Sequence, residues 1–227
     1  MHLWCRVWRR WAAQDTDTTF DTGAAAASRL TVLAGEATRL AALQLREKID
    51  ALNLPVEEAL DALEGEGFCG EYAAVTDAPS DEAGAHPTVH MAYGYATHVA
   101  LLDESGHVKT IAAAHDVGRA IHPGNVIGQI EGGVVMSFGY ALSEHFDMTN
   151  GIPPRGFGAV GFPRAAASPH VEAIIVEKSP LELALGAKGL GELVCIPTPA
   201  AIAGAYRAFD GKLRTKLPLE DTPYQKK

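Results

Sequence analysis

Apolar residues recur at helical spacing along two long stretches of the chain and cluster along three short ones. From about Thr31 to Asp50, Leu33, Ala37, Leu40, Ala41, Leu45 and Ile49 fall on one stripe while Arg39, Arg46 and Lys48 stay off it, which predicts an amphipathic helix. Asn53 and Pro55 supply its stop. Thr97–Leu102 and His107–Ala114, parted by Asp103-Glu104-Ser105-Gly106, predict a β-hairpin. Val126, Ile130, Val134, Phe138 and Leu142 predict a second helix. It opens at Pro123-Gly124-Asn125, has Asn125 as candidate N-cap and runs to about His145. Val171–Glu177 reads as a strand. A last helix is expected over about 199–209, with Thr198 as N-cap, Pro199 in the first turn and Ile202, Ala205, Tyr206 and Phe209 facing inward. Residues 56–90 are acidic and read as irregular surface. Strands and helices alternate without a strict βαβ repeat, so the expected class is α+β.

Composition narrows the function. At 227 residues, 47% hydrophobic, the chain can bury a core without disulfides or structural metals. A net charge of −9 argues against nucleic acid or an anionic membrane surface as partner. No apolar run reaches bilayer length. Cys5, Cys69 and Cys195 are widely spaced and form no CxxC, which fits a reducing cytoplasm and leaves no thiolate cluster within the chain. Residues 1–14, rich in tryptophan and arginine, lack an ordered signal-peptide pattern and stand apart from the rest as an atypical start and a candidate for disorder.

Two glycine-rich segments carry the chemistry. The predicted helix after Pro123 contains Gly128, Gly132, Gly133 and Gly139, which together oppose helix formation by some 3–4 kcal/mol relative to alanine. A backbone or a ligand packed directly on the glycine face would compensate. Near the C-terminus, Gly186-Ala187-Lys188-Gly189-Leu190-Gly191-Glu192 ends in one carboxylate just before a helix. That loop can present a general base, or be a surface turn with a solvated glutamate; the segment alone leaves both open. Gly156-Phe157-Gly158-Ala159-Val160-Gly161 matches GxGxxG only formally, because Pro153-Pro154 precedes it in place of a strand and Pro163 blocks the helix that would hold a pyrophosphate. His86 and His90 have zinc-ligand spacing, but Pro87 lies between them and no partner ligands follow, so no metal ligands are assigned.

Three ordered segments together are similar to the molybdenum hydroxylases, the xanthine dehydrogenase and aldehyde oxidase family. They are Asp15-Thr16-Asp17-Thr18-Thr19 through Ala24-Ala25-Ala26-Ala27-Ser28-Arg29 and Gly35-Glu36-Ala37; His115-Asp116-Val117-Gly118-Arg119-Ala120-Ile121-His122-Pro123 with Gly128-Gln129-Ile130-Glu131-Gly132-Gly133; and the loop ending at Glu192 with Pro197-Thr198-Pro199-Ala200-Ala201 after it. The tail from Phe209-Asp210-Gly211 to Lys216-Leu217-Pro218 most resembles the xanthine dehydrogenase-like branch.

The resemblance implies that residues 15–227 are the C-terminal part of a molybdopterin-binding large subunit. It implies a molybdenum–molybdopterin cofactor, as such or as the cytosine dinucleotide, and hydroxylation of a purine, an N-heterocycle or an aldehyde with oxygen from water and hydride passing to the metal. Glu192 matches the family's general base, for which a dry pocket would raise the carboxylate pKa. Gln129 matches the position that hydrogen-bonds the pterin, with Gly128 beside it. Ala26, Ala27 and Ser28 match a cofactor-contacting loop, helix capping being the alternative for Ser28, and Gly189 and Gly191 belong to the loop that delivers Glu192. Lys188 receives no catalytic role. The chain departs from the family in lacking the upstream half of the subunit and in carrying Phe20 where proline is usual. The missing half, iron–sulfur and flavin (FAD) subunits and a small-molecule substrate are the expected partners. The alternative is a non-catalytic remnant or assembly subunit that binds a related subunit. Alone, the chain is expected to expose apolar surface.

Overall fold

The computed structural model describes residues 3–7, 17, 25–77, 90–154, 156–179 and 181–224. Of the segment 15–24 only Asp17 is among them; Phe20, Ala24 and His86 lie outside the described residues. The chain divides into two compact units, Met1–Tyr93 with Ser179–Gly189, and Gly94–Lys178 with Leu190–Lys227.

The first unit is built on α1, Leu30–Leu52, which ends as expected at Asn53 in the left-handed region. Its apolar stripe includes Ala37 and Ala41, both fully buried, and small residues there let a strand lie close to the helix. That strand is β2, Phe68–Tyr72, paired antiparallel with β1, Leu3–Val7, in the register Leu3↔Tyr72 to Val7↔Phe68. Gly70 marks the closest approach: a Cβ there would collide with the Ala37 carbonyl. Five residues of the segment set apart at the start are thus a paired strand. The stretch 56–90, read as irregular, also contains structure: α2, Val56–Ala62, as well as β2. The seven residues of α2 make under two helical turns, too few for a helical stripe to register, and β2 carries Cys69, Gly70 and Glu71 where a strand signal needs β-branched or aromatic residues. The acidic Glu57 and Glu58 that suggested a solvated face sit in the first turn of α2, where the helix dipole favours them, while Ala59 and Leu63 are buried.

The second unit is a three-stranded sheet in the order β3-β4-β5. The expected hairpin is present as β3, Tyr95–Leu102, antiparallel to β4, Val108–Asp116. Its turn is stapled by Asp103, whose Oδ1 accepts from the amides of Ser105 and His107 at 2.9 Å each. The last strand, β5, His170–Val176, runs parallel to β4 with Thr110↔His170 and Asp116↔Val176 as end pairs. Between β4 and β5 come α3, Pro123–Leu142, and a four-residue α4, Phe157–Val160; α5, Pro197–Asp210, follows. The core joins one sheet face to α3 and α5 through Ile111, Ala113, Ile130, Val134, Phe138, Leu142, Ile202 and Tyr206. This two-layer arrangement of helices on a small mixed sheet is α+β, as expected.

Three helix-end expectations are corrected. The α3 N-cap is His122, whose Nδ1 accepts from the Asn125 amide at 3.1 Å; Asn125 is inside the first turn and supplies the donor. The helix stops at Leu142, not His145, since the chain turns back after Ser143 and the His145 amide bonds the Val160 carbonyl. In α5, Thr198 is helical and caps nothing: Pro197 and Pro199 remove two of the amides a cap would serve, and Ile196 holds the cap position. Ile202 and Tyr206 face inward as expected, but Phe209, in the last turn, is exposed. No described helix is long and apolar enough to cross a membrane.

Candidate functional site

The residues singled out by sequence fall in both units. The division passes through the glycine-rich loop, leaving Gly186–Gly189 with the first unit and Leu190–Glu192 with the second.

In the first unit, Ala26 and Ala27 are exposed and Ser28 is partly buried. Ala27 and Ser28 stand at φ 53° and 51°, the left-handed region that costs a non-glycine residue roughly 1–2 kcal/mol. Such backbone persists where its surroundings over-determine it, and it concentrates at binding sites. Gly189 packs on the carbonyl of Ser28 so closely that a Cβ would collide with it, which accounts for glycine at that position. Ser28 is not the helix cap: Arg29 holds that position, its carbonyl accepting from the Leu33 amide at 2.9 Å, and no side chain caps α1.

Sequence reasoning missed Glu36 of the same unit. Only 3% exposed, it accepts from Arg39 Nε at 2.9 Å and Nη2 at 2.6 Å, and from the Ala184 amide at 2.7 Å. Ala184 and Leu185 are themselves at positive φ, so the carboxylate braces a strained turn that opens the glycine-rich loop. The Arg39 hydrogen bonds hold its pKa below the ordinary carboxylate value against the opposing effect of burial.

In the second unit the glycines of α3 serve two different ends. Gly133 and Gly139 are buried because neighbours occupy the space of a side chain, Val194 at the first and Glu144 with Pro163 at the second. Gly128 and Gly132 are exposed, and a Cβ on either would meet nothing within 4 Å. Gln129, also exposed, lies between them. It stands one turn before Gly133 on the same i, i+4 ridge.

Glu192 heads a 3-10 turn, Leu193–Cys195, that is pinned to α3 twice. Val194 is buried against Gly133, and Ser137 Oγ donates to the Cys195 carbonyl at 2.7 Å. The Cys195 thiol points back to the Glu192 carbonyl at 3.1 Å. A third pin follows at once: Thr198 Oγ1 lies 2.9 Å from His98 Nδ1, and His98 Nε2 lies 2.7 Å from His115 Nε2. Gln129 thus stands four residues before Gly133 on α3, and Glu192 two residues before the Val194 that packs on it. Glu192 and Gly191 are exposed, so the dry pocket expected around the carboxylate is not formed by the described residues of this chain.

The His98–His115 pair also went unnoticed in sequence. The only available signal was parity: both occupy inward positions of their strands, in line with Ala100 and with Ile111 and Ala113. Elsewhere in the unit, a cleft of about 460 Å³ is lined by Tyr140, Glu144, Phe146, Phe162, Lys216 and Leu217, among others. Burial raises the Glu144 pKa. None of the candidate catalytic or cofactor-binding residues lines this cleft. The formal GxGxxG segment forms α4 between Gly156 and Gly161, and among the described residues no strand leads directly into it. His90, the described member of the set-aside histidine pair, is exposed.

Comparison with known proteins supplies the family. Residues 10–169 match the model of the molybdopterin cofactor-binding domain, a stretch that ends before the Gly186–Glu192 loop. The chain is 35% identical to the gamma subunit of the 6-hydroxypseudooxynicotine dehydrogenase complex of Paenarthrobacter nicotinovorans, over 87% of this chain and 29% of that one. It is 31% identical to the xanthine dehydrogenase molybdenum-binding subunit of Escherichia coli O157:H7, over 92% and 32%. Among solved structures, the aldehyde oxidoreductase from Desulfovibrio gigas shares the fold with a TM-score of 0.69 at 24% identity, over 86% of this chain and 22% of that one. The chain spans about a third of the length of the curated relatives it matches. It belongs to the molybdopterin cofactor-binding family, the molybdenum hydroxylases of xanthine dehydrogenase and aldehyde oxidase type.

Proposed function

We propose that this chain contributes one part of the molybdopterin site of an oxidoreductase that hydroxylates an electron-poor carbon of a purine, an N-heterocycle or an aldehyde with oxygen from water. The observation that carries this reading is the Gly133–Val194 contact, which holds the turn headed by Glu192 on the helix that carries Gln129 and the open backbone of Gly128 and Gly132. These residues fit a pterin. Two exposed glycines one helical turn apart leave space that side chains would otherwise fill, and the Gln129 amide beside them both donates and accepts hydrogen bonds.

In this reading Gln129 hydrogen-bonds the cofactor while Gly128 admits it to the helix backbone. Ala26, Ala27 and Ser28 offer further backbone and hydroxyl contacts, with Gly189 keeping that loop in its left-handed conformation. When bound, the cofactor, as molybdopterin or its cytosine dinucleotide, supplies the redox centre. Glu192 acts as the general base, taking a proton on its carboxylate, with Gly191 leaving room beside it. Because Glu192 is exposed here, the exclusion of water that tunes such a base falls to the substrate and to surfaces from the rest of the enzyme. Two of the relatives are named as subunits, one of them of a complex, which supports partner subunits; iron–sulfur and flavin subunits and a further portion of the large subunit are the partners in this reading. A cytoplasmic location accords with the three scattered cysteines.

The test uses the chain co-expressed with its partner subunits in a host that makes the cofactor. Glu192→Gln is expected to abolish turnover, by roughly 100-fold or more, while leaving molybdenum content unchanged. Gln129→Ala is expected to lower molybdenum per complex. Turnover close to wild type in Glu192→Gln would remove Glu192 from the mechanism. A wild-type complex devoid of molybdenum would favour the other reading, a non-catalytic assembly subunit.

A further inference from the structure

We propose that the buried chain His115–His98–Thr198 is a proton-operated latch that positions the turn presenting Glu192. His98 and Thr198 act in it as positioning residues. The catalytic meaning of the latch rests on the reading of Glu192 as base; its existence does not.

The geometry carries the proposal. His115 is fully buried and His98 is 8% exposed, on neighbouring strands of the sheet and diagonal to one another across the register Ala96↔His115 and His98↔Ala113. Their Nε2 atoms, 2.7 Å apart, hold one N–H between them, which a neutral pair supplies when one ring donates to the lone pair of the other. His98 then uses Nδ1 on Thr198 at 2.9 Å, the second residue of α5 and six residues after Glu192. Thr198 is itself fully buried, so this hydroxyl gains its partner only while His98 keeps its orientation.

An added proton would put a charge where no water reaches it. At the second Nε2 it would set two N–H groups against each other, at His115 Nδ1 it would meet no hydrogen-bond partner, and at His98 Nδ1 it would have only the Thr198 hydroxyl to face. The inward faces of β5 and α3 bring apolar side chains and Ser137, not charge. The titratable group that the other packed elements turn inward is Tyr206 on α5, kept protonated by burial; Cys195, on the Glu192 turn, is half-buried and bonds the Glu192 carbonyl. No carboxylate among the described residues faces the pair to stabilise a cation. Burial, followed by the charge of His115, pushes the His98 pKa down to about 4, and burial also lowers that of His115.

The sign follows from linkage. A histidine whose folded pKa is depressed binds a proton more readily when the latch is open, so the closed form is most stable above about 6.5. It loses stability as pH falls from there towards about 4. Because the buried pair holds a cation poorly, protonation favours the open form, in which Thr198 loses His98 and the turn keeps only its contacts to Gly133 and Ser137.

Hydrogen–deuterium exchange on the full chain tests this without any turnover. After correction for intrinsic rates, protection of the segment 193–199 is expected to fall roughly fivefold or more for each pH unit below 6.5 while α3 and β5 stay protected. Thr198→Val should leave the segment unprotected at every pH, and Thr198→Ser should restore both protection and its pH slope. Nitrogen NMR of the histidine rings gives a reading that needs no variant: titration midpoints well below the ordinary histidine value are expected for both. The proposal fails if the segment's protection is flat with pH, if it falls only together with α3 and β5, if Thr198→Val keeps the slope, or if either ring titrates near 6.5. Activity lost in Glu192→Gln with the exchange profile intact would separate the latch from the catalytic reading.

Discussion

Glu36 shows how much one side chain can decide. Its carboxylate ties α1 to a turn 148 residues away and satisfies an amide of backbone held at positive φ. Glu36→Gln keeps the shape but removes the charge that Arg39 pairs with, and is expected to cost roughly 1–3 kcal/mol, measured by urea unfolding at neutral pH. Because the folded pKa is lowered, the contribution is present above the ordinary carboxylate value near 4.5 and disappears as pH falls through the folded one. The difference between wild type and Glu36→Gln should therefore shrink in acid. Glu36 and His115 lie within the ordered segments read from the sequence but received no role there, and His98 was not singled out, since each owes its role to a partner brought in by the fold. The bond of His98 to Thr198 spans 100 residues.

At the scale of elements, α3 was legible as a helix from its stripe of Val126, Ile130, Val134, Phe138 and Leu142, four of which are fully buried. The glycines on it were legible as a problem, but not which of them the chain itself answers. Gly133 and Gly139 are answered by Val194 and by Glu144 with Pro163, while Gly128 and Gly132 remain open. That distinction makes a sharp test. Gly132→Ala should stabilise the chain by about 1 kcal/mol, because it lowers the entropy cost of the helix and meets no neighbour. Gly133→Ala should instead destabilise it by roughly 1–3 kcal/mol as Val194 is pushed away. Thermal melts of the two variants decide the order. If the open face receives the pterin, Gly132→Ala will also lower molybdenum content in the assembled enzyme despite its higher melting temperature.

At the scale of the whole molecule, the second unit covers one face of its sheet with α3 and α5 and leaves apolar residues on the other. Tyr95, Val99, Leu101 and Ile174 are 69%, 52%, 53% and 41% exposed. A sheet face of that kind favours association. Leu101→Lys is expected to change unfolding free energy by no more than about 0.5 kcal/mol, as for most surface substitutions, while raising the concentration at which the chain self-associates. Light scattering against concentration, paired with a melt, reads both.

The sequence by itself determined the α+β class, the long helices, the hairpin and the family. Each of these rests on local periodicity, on turn residues or on ordered motifs such as Gly128-Gln129-Ile130-Glu131-Gly132-Gly133. The elements α2 and β2 escaped because α2 spans under two helical turns and β2, Phe68–Tyr72, has Cys69, Gly70 and Glu71 at its centre in place of a strand pattern. Tertiary structure alone decided which glycines are packed and which are open. It decided that Thr198 reaches His98 instead of capping α5, and that Glu192 is exposed on a turn pinned to α3. The physical reason is the same in each case. A hydrogen bond or a close contact belongs to two residues at once, and when they are tens of residues apart only the folded backbone says that they meet.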